Sequence, residues 1–257
     1  MNTYEVPYGE SIIKFKLERK NVKNINLNIK VNGDVIVSAN EEVHLEYIKK
    51  FVARKAGWID KNLKYYKSHE QESTENKELI SGETLKYLGR QYRLKVVESE
   101  EEFVKYFRGY IYLYVKDKSD YNRKEELLNA WYDYKCKKIF NDLYNEVYPI
   151  ISKYDIPNVN INVRKMKTRW GSCITSKNTI ILNRDLIKAP KYCIKYVILH
   201  ELIHMIYNEH NKEFYDFLYI FMPDWEERKR ILDEEIAMAL WKEVYNNIGT
   251  IELQVID

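Results

Sequence analysis

The segment VILHELIHMIYNEHNKEFY, residues 197–215, gathers three of the chain's five histidines within eleven positions. His200 and His204 are four residues apart, so on an α-helix they share one face, one turn apart, and two imidazoles so placed can reach one metal ion. Glu201 follows the first histidine. In an HExxH helix that side chain stands beside the metal without binding it and can take a proton from a coordinated water. A catalytic zinc site uses three protein ligands and keeps a fourth position open, so a third ligand is expected. His210 lies six residues after His204, the spacing of the last histidine in HExxHxxGxxH. That pattern has glycine at the turn where this chain has Tyr207, so Asn208, tolerant of left-handed backbone, is expected to turn the chain. The competing third ligand is a downstream carboxylate from Glu226, Glu227, Glu234 or Glu235, which otherwise form a solvated helix face. His210 is preferred. One zinc ion per chain is expected, although imidazoles also accept manganese or nickel.

The stretch RKMKTRWGSC, residues 164–173, supplies the other reactive groups. In one reading it borders the cleft and Arg169 binds a substrate anion or supports an oxyanion, giving the expected catalytic pair Glu201 and Arg169. In the plainer reading it is a strand with Trp170 in the core and its cations in solvent. A third reading makes it a nucleic-acid contact, since cations beside an aromatic ring hold phosphates and stack on bases. Cys173 is either a reactive thiol or a buried inert cysteine, the commoner case.

These groups need a scaffold. Ile13, Phe15 and Leu17, then Ile25, Leu27 and Ile29, then Val35 and Val37 alternate as strands do, with a hairpin signal at Asn32-Gly33-Asp34. Residues 41–67 carry helical spacing through Val43, Ile48, Phe51, Val52, Ala56, Ile59 and Leu63. Residues 69–78 are polar and aperiodic and read as a linker. Strands are expected at 85–87, 92–96 and 110–114, with turns at Gly89 and Gly109. A long helix follows over 122–153. Short strands are expected at 160–165, 168–172 and 179–183, then helices at 190–208, 211–221 and 224–246, and an edge strand or disorder in the closing IELQVID. The expectation is an α+β chain: a strand-rich N-terminal half with a long helix, residues 1–118, and a mainly helical region with a small sheet, residues 119–257.

Composition narrows the classes. The 257 residues are 45% hydrophobic, enough for a core of one or two domains, and 42 basic against 39 acidic side chains leave a net charge of only +3. That balance lacks the footprint of a dedicated nucleic-acid binder. Three scattered cysteines form neither a CxxC pair nor a disulfide framework. The N-terminus has no signal-peptide pattern and no stretch suits a membrane span, so a cytoplasmic protein is expected.

The chain resembles the YgjP-like metallopeptidase family, related to the SprT-like and WLM zincins. The resemblance rests on RKMKTRWGSC (164–173), ILNRDLIKAP (181–190), YVILHELIHMIYNEHNKEFY (196–215) and MPDWEERKRIL (222–232). It extends to KFKLERKNVKNINLNIKVNGDVIVSAN (14–40), Gly57-Trp58-Ile59 and YLGRQYRLKV (87–96). It implies a zincin-like C-terminal domain with His200, His204 and His210 as ligands, Glu201 as base, and a peptide or protein substrate. A nucleotide phosphohydrolase using the same metal is the rival enzyme. A DNA-associated module with structural zinc is the rival from another class, opposed by Glu201, which a closed structural site has no use for.

Overall fold

Strand β1 (Asn2–Tyr8) pairs antiparallel with β2 (Ser11–Arg19), which runs parallel to β4 (Val35–Ala39), itself antiparallel to β3 (Asn26–Ile29). The computed structural model describes residues 2–9, 11–22, 24–29, 33–69, 78–166 and 169–236. Two compact units divide the chain, and among the described residues 2–69 belong to the first and 78–236 to the second.

In the first unit the expected alternation buries Phe15, Leu27, Ile29 and Val37 against Ile48, Val52 and Ile59 of two helices. The single helix expected over 41–67 is two, α1 (Leu45–Arg54) and α2 (Ala56–His69), separated at Lys55. The apolar stripe runs through the break, which is why periodicity did not reveal it. Strand β1 was not anticipated, and among the described residues it pairs only on its β2 side, where Pro7 is tolerated. The expected linker falls almost wholly on residues 70–77, outside the described set.

The second unit opens with a four-stranded sheet, β5 (Thr84–Tyr87), β6 (Arg90–Glu98), β7 (Phe103–Phe107) and β8 (Tyr110–Val115), in the order β5-β6-β8-β7. One face buries Leu94, Ile111 and Leu113 in the same core as Trp131, Cys136 and Phe140 of α3 (Tyr121–Ile151). The boundary expected at 118 therefore lies inside this unit. Asp120 caps α3 by accepting a hydrogen bond from the Arg123 N–H.

A second, three-stranded sheet follows α3. Strand β11 (Thr179–Asn183) lies between β9 (Asn160–Arg164), its parallel partner, and β10 (Gly171–Ile174), its antiparallel partner and an edge of the sheet. The strand expected at 168–172 thus starts later, at Gly171. Helix α4 (Lys191–Ile203) carries the HELIH motif and packs on α3, β10, β11, α5 (Lys212–Phe221) and α6 (Trp225–Arg230). It is apolar on nearly all sides, as a helix enclosed by other elements must be. Its start is seated on the β5–β6 turn, where the Leu88 and Gly89 N–H groups donate to the Ile187 and Lys188 carbonyls. Gly89 has φ +79°, and a Cβ there would lie 2.7 Å from the Pro190 ring. The helix expected over 224–246 is α6 followed by a wider-wound turn, Ile231–Ile236; the remainder and the closing segment fall outside the described residues.

Candidate metal centre

Helix α4 keeps regular geometry through His200 and ends at Ile203. His204 holds the next position in right-handed helical conformation, its N–H donating to the His200 carbonyl at 3.3 Å. The chain does not turn at a left-handed Asn208, which has no positive φ. Instead Met205 and Ile206 donate to the carbonyls three residues back, Leu202 and Ile203, tightening the helix end. The chain then bends at Asn208 and Glu209, where the turn was expected, and returns His210 toward the helix with neither glycine nor left-handed backbone.

The three Nε2 atoms converge. His210 Nε2 lies 2.9 Å from that of His200 and 3.1 Å from that of His204, and the three donor atoms lie within 4.8 Å of one another. His204 Nδ1 is 2.9 Å from the Tyr207 carbonyl. In neutral imidazole that contact places the proton on Nδ1 and leaves Nε2 a bare lone pair aimed at the cluster. Phe214, fully buried on α5, floors the cluster, with its ring centre 4.8–4.9 Å from each imidazole centre.

Burial keeps the trio uncharged. It holds His200 well below the usual imidazole range, lowers His204, and brings His210 down to about 4, with the neighbouring His204 adding to the last. Three neutral nitrogens at such distances cannot all be satisfied by protons, whereas one cation satisfies them together. The donor set therefore fits a divalent ion that prefers imidazole. Among the described residues His200 Nδ1 is buried without a hydrogen-bond partner.

Glu201 points from α4 to β10. It is 6% exposed, and burial raises its carboxyl to about 8 against the opposing charge of Arg169. Its side chain lies on the backbone of Gly171, where a Cβ would come within 2.7 Å of Glu201 Cγ and 2.8 Å of Cδ. The backbone of Gly171 has an ordinary φ, so what this position demands is space.

The remaining expectations divide. Arg169 is exposed just before β10, close enough for its charge to act on Glu201. Trp170 packs against the core. Burial first, and the Glu201 charge second, push the Cys173 thiol up to about 11, and its sulfur lies 3.3 Å from that of Met205, a setting for an inert cysteine. Glu226 and Glu227 are exposed, Glu227 pairs with Arg230 at 2.7 Å, and neither joins the histidines. The side chains of Glu234 and Glu235 are outside the described set, as are Lys167 and Thr168. His44 is exposed at the start of α1.

Sequence reasoning passed over Gly171, Phe214 and Asn183. The buried Asn183 amide donates to the Met166 and Arg169 carbonyls, both at 2.9 Å, and its oxygen accepts from the Met166 and Asp185 N–H groups. It ties down both ends of the segment that delivers Arg169 and Gly171. No spacing signal announces a residue of this kind.

The YgjP-like metallopeptidase domain family matches residues 23–235, most of the chain and all of this site. The chain belongs to the YgjP-like metallopeptidase family. Membership implies a hydrolase with a divalent metal, and the histidine trio is compatible with one. Among solved structures, the metallopeptidase zymogen of Pyrococcus abyssi abylysin is 20% identical over 37% of this chain and 94% of its own, with a TM-score of 0.34. That of Methanocaldococcus jannaschii jannalysin is 24% identical over 38% of this chain and 96% of its own, with a TM-score of 0.33. No curated protein matches the chain. No described helix is long and apolar enough to cross a membrane.

Proposed function

We propose that the chain is a zinc metallopeptidase in which His200, His204 and His210 hold one zinc ion and Glu201 is the general base. The observation that carries this reading is the convergence of three neutral Nε2 atoms beside a buried carboxylate that is not one of them. When bound, zinc supplies Lewis acidity, polarising a carbonyl and bringing the pKa of a coordinated water to about 7. Burial disfavours the charged form of Glu201, and a cation held by the histidines offsets that cost. The Glu201 carboxylate takes up a proton and returns it to the leaving amine. Gly171 leaves that carboxylate room, and Phe214 excludes water from the far side of the histidines. Arg169, in solvent beside Glu201, steadies negative charge developing on the substrate carbonyl oxygen.

A peptide substrate is favoured by β10. Among the described residues it is an edge strand, and its first residue touches Glu201, so an extended peptide can add to the sheet through main-chain hydrogen bonds and pass the base.

Glu201→Gln keeps the shape of the base and removes its proton affinity. The variant is expected to fold, to hold about one zinc per chain by elemental analysis, and to cleave casein-derived peptides about 10²–10⁴-fold more slowly. His204→Ala is expected to lose the metal. Zinc loss in Glu201→Gln would make the residue a ligand, and full activity would remove it as base. Turnover of nucleoside triphosphates in place of peptides would move the same site to phosphoanhydride hydrolysis.

A further inference from the structure

The sheet β5-β6-β8-β7 has one face in the core and one outside it. On the outer face the register forms three rows: Arg93–Tyr110–Phe107, Lys95–Tyr112–Lys105 and Val97–Tyr114–Phe103. None of these side chains belongs to the buried core, and Phe107 and Phe103 are 50% and 38% exposed.

Two ring pairs lie nearly parallel, while Tyr110 is tilted 57° to Tyr112. Phe103 stacks on Tyr114 at 4.3 Å and 17°, and Tyr112 lies 6.2 Å from Tyr114 at 20°. Cations stand over them: the Lys95 ammonium 3.8 Å above Tyr110, Lys105 5.1 Å from Tyr114, and Arg108 5.1 Å from Phe107. No carboxylate occurs in the three rows, although acids make up 39 of the 257 residues. The nearest in sequence, Glu98 and Glu102, lie at the end that carries Val97 and Phe103, and Glu102 is engaged by Arg123 of α3 at 2.8 Å. Among the described residues, none of Arg93, Lys95, Lys105 or Arg108 forms an ion pair with a carboxylate.

A merely solvated sheet face mixes both charge signs and keeps few large rings. Here flat rings and unpaired cations are interleaved on one surface without an acid. A single-stranded nucleic acid complements both features, because its bases stack on aromatic faces and its phosphates meet the cations. We propose that the outer face of this sheet binds single-stranded nucleic acid, with bases on Tyr112, Tyr114 and the flanking phenylalanines and the backbone along Lys95 and Lys105. The small net charge of the whole chain does not oppose this, since the footprint is local. The proposal does not depend on the zinc site.

Fluorescence anisotropy of the full chain with a labelled oligothymidine of about twenty nucleotides tests it, at about 50 and about 200 mM salt. Binding is expected at the lower salt and should weaken at the higher. Tyr112→Ala should weaken it about ten-fold or more, the loss of one stacked base. Tyr112→Phe, which keeps the ring, should bind as the wild type does, and so should Glu201→Gln. Lys95→Gln and Lys105→Gln should each flatten the salt dependence by about 0.7 in logarithmic slope for each phosphate no longer neutralised. An abasic oligomer of the same length should bind at least about ten-fold more weakly. The proposal is overturned if the full chain does not bind oligothymidine, or if Tyr112→Ala binds as well as wild type. It is also overturned if the abasic oligomer or polyglutamate binds equally well, since the face would then attract anions without stacking.

Discussion

Gly171 and Glu201 stand thirty positions apart in sequence and in contact in space, with a Cβ at 171 reaching within 2.7 Å of Glu201 Cγ. Backbone conformation does not require glycine there, so Gly171→Ala tests crowding alone. If Glu201 is the base proposed above, the substitution is expected to lower peptide turnover about ten-fold or more by displacing it, since small misplacements of a catalytic group are costly, while zinc content stays near one per chain. It should also lower the melting temperature of the metal-free protein. In a Glu201→Asp background, whose shorter side chain recedes from the added methyl, most of that destabilisation should vanish. A double-mutant cycle on metal-free protein reads the coupling without any assay of catalysis. Equal destabilisation in both backgrounds would show that Gly171 serves the strand and not the carboxylate.

The elements around the site are joined by few but specific ties. Asn183, the last residue of β11, satisfies backbone groups of Met166, Arg169 and Asp185 while itself buried. Alanine would leave several of those groups without partners. Its expected cost is about 3 kcal/mol in chemical denaturation, from a penalty of about 1–3 kcal/mol for each group that stays dry. A cost under about 1 kcal/mol would mean that water replaces the amide and the segment holds its place by other contacts. At the other end of the site, the β5–β6 turn carries the first turn of α4 through Gly89, tying the four-stranded sheet to the histidine-bearing helix.

At the scale of the whole chain, every residue of the candidate centre lies in the second unit. Three half-buried, uncharged imidazoles aimed at one another are poorly satisfied without a cation, so metal binding should stabilise the folded state. Removal of the ion by a chelator is expected to lower the melting temperature, and excess zinc to restore it. At a thousand-fold excess over the dissociation constant the gain is about 4 kcal/mol. In the first unit, Leu27→Ala empties a fully buried position and should cost about 2–5 kcal/mol, yet the purified variant should still carry zinc. Absence of the metal from Leu27→Ala would show that the centre depends on the first unit.

Residues close in sequence were legible as chemistry because helical periodicity alone relates them. His200, Glu201 and His204 owe their relative directions to 3.6 residues per turn, and the apolar Ile194, Val197, Ile198, Leu202 and Ile203 around them already say that such a helix is enclosed. The α+β class was legible in the same way, from alternation in β2 to β4 and from the stripe of α3. Periodicity was blind where its signal runs on or is too weak to read. The stripe crosses the break at Lys55, β1 is paired on one side among the described residues, and β7, FVKYF, interrupts its apolar pattern with Lys105. Tertiary structure decided the rest. His210 reaches the cluster because tightened hydrogen bonds end α4 and the chain bends at Asn208 and Glu209 without left-handed backbone. Gly171 and Phe214 matter because a strand and a helix from different parts of the chain pack onto one carboxylate and three imidazoles, and Asn183 because it ties a neighbouring strand to the segment before Gly171. Such contacts depend on how many side chains fill a shared volume, and no local spacing encodes that.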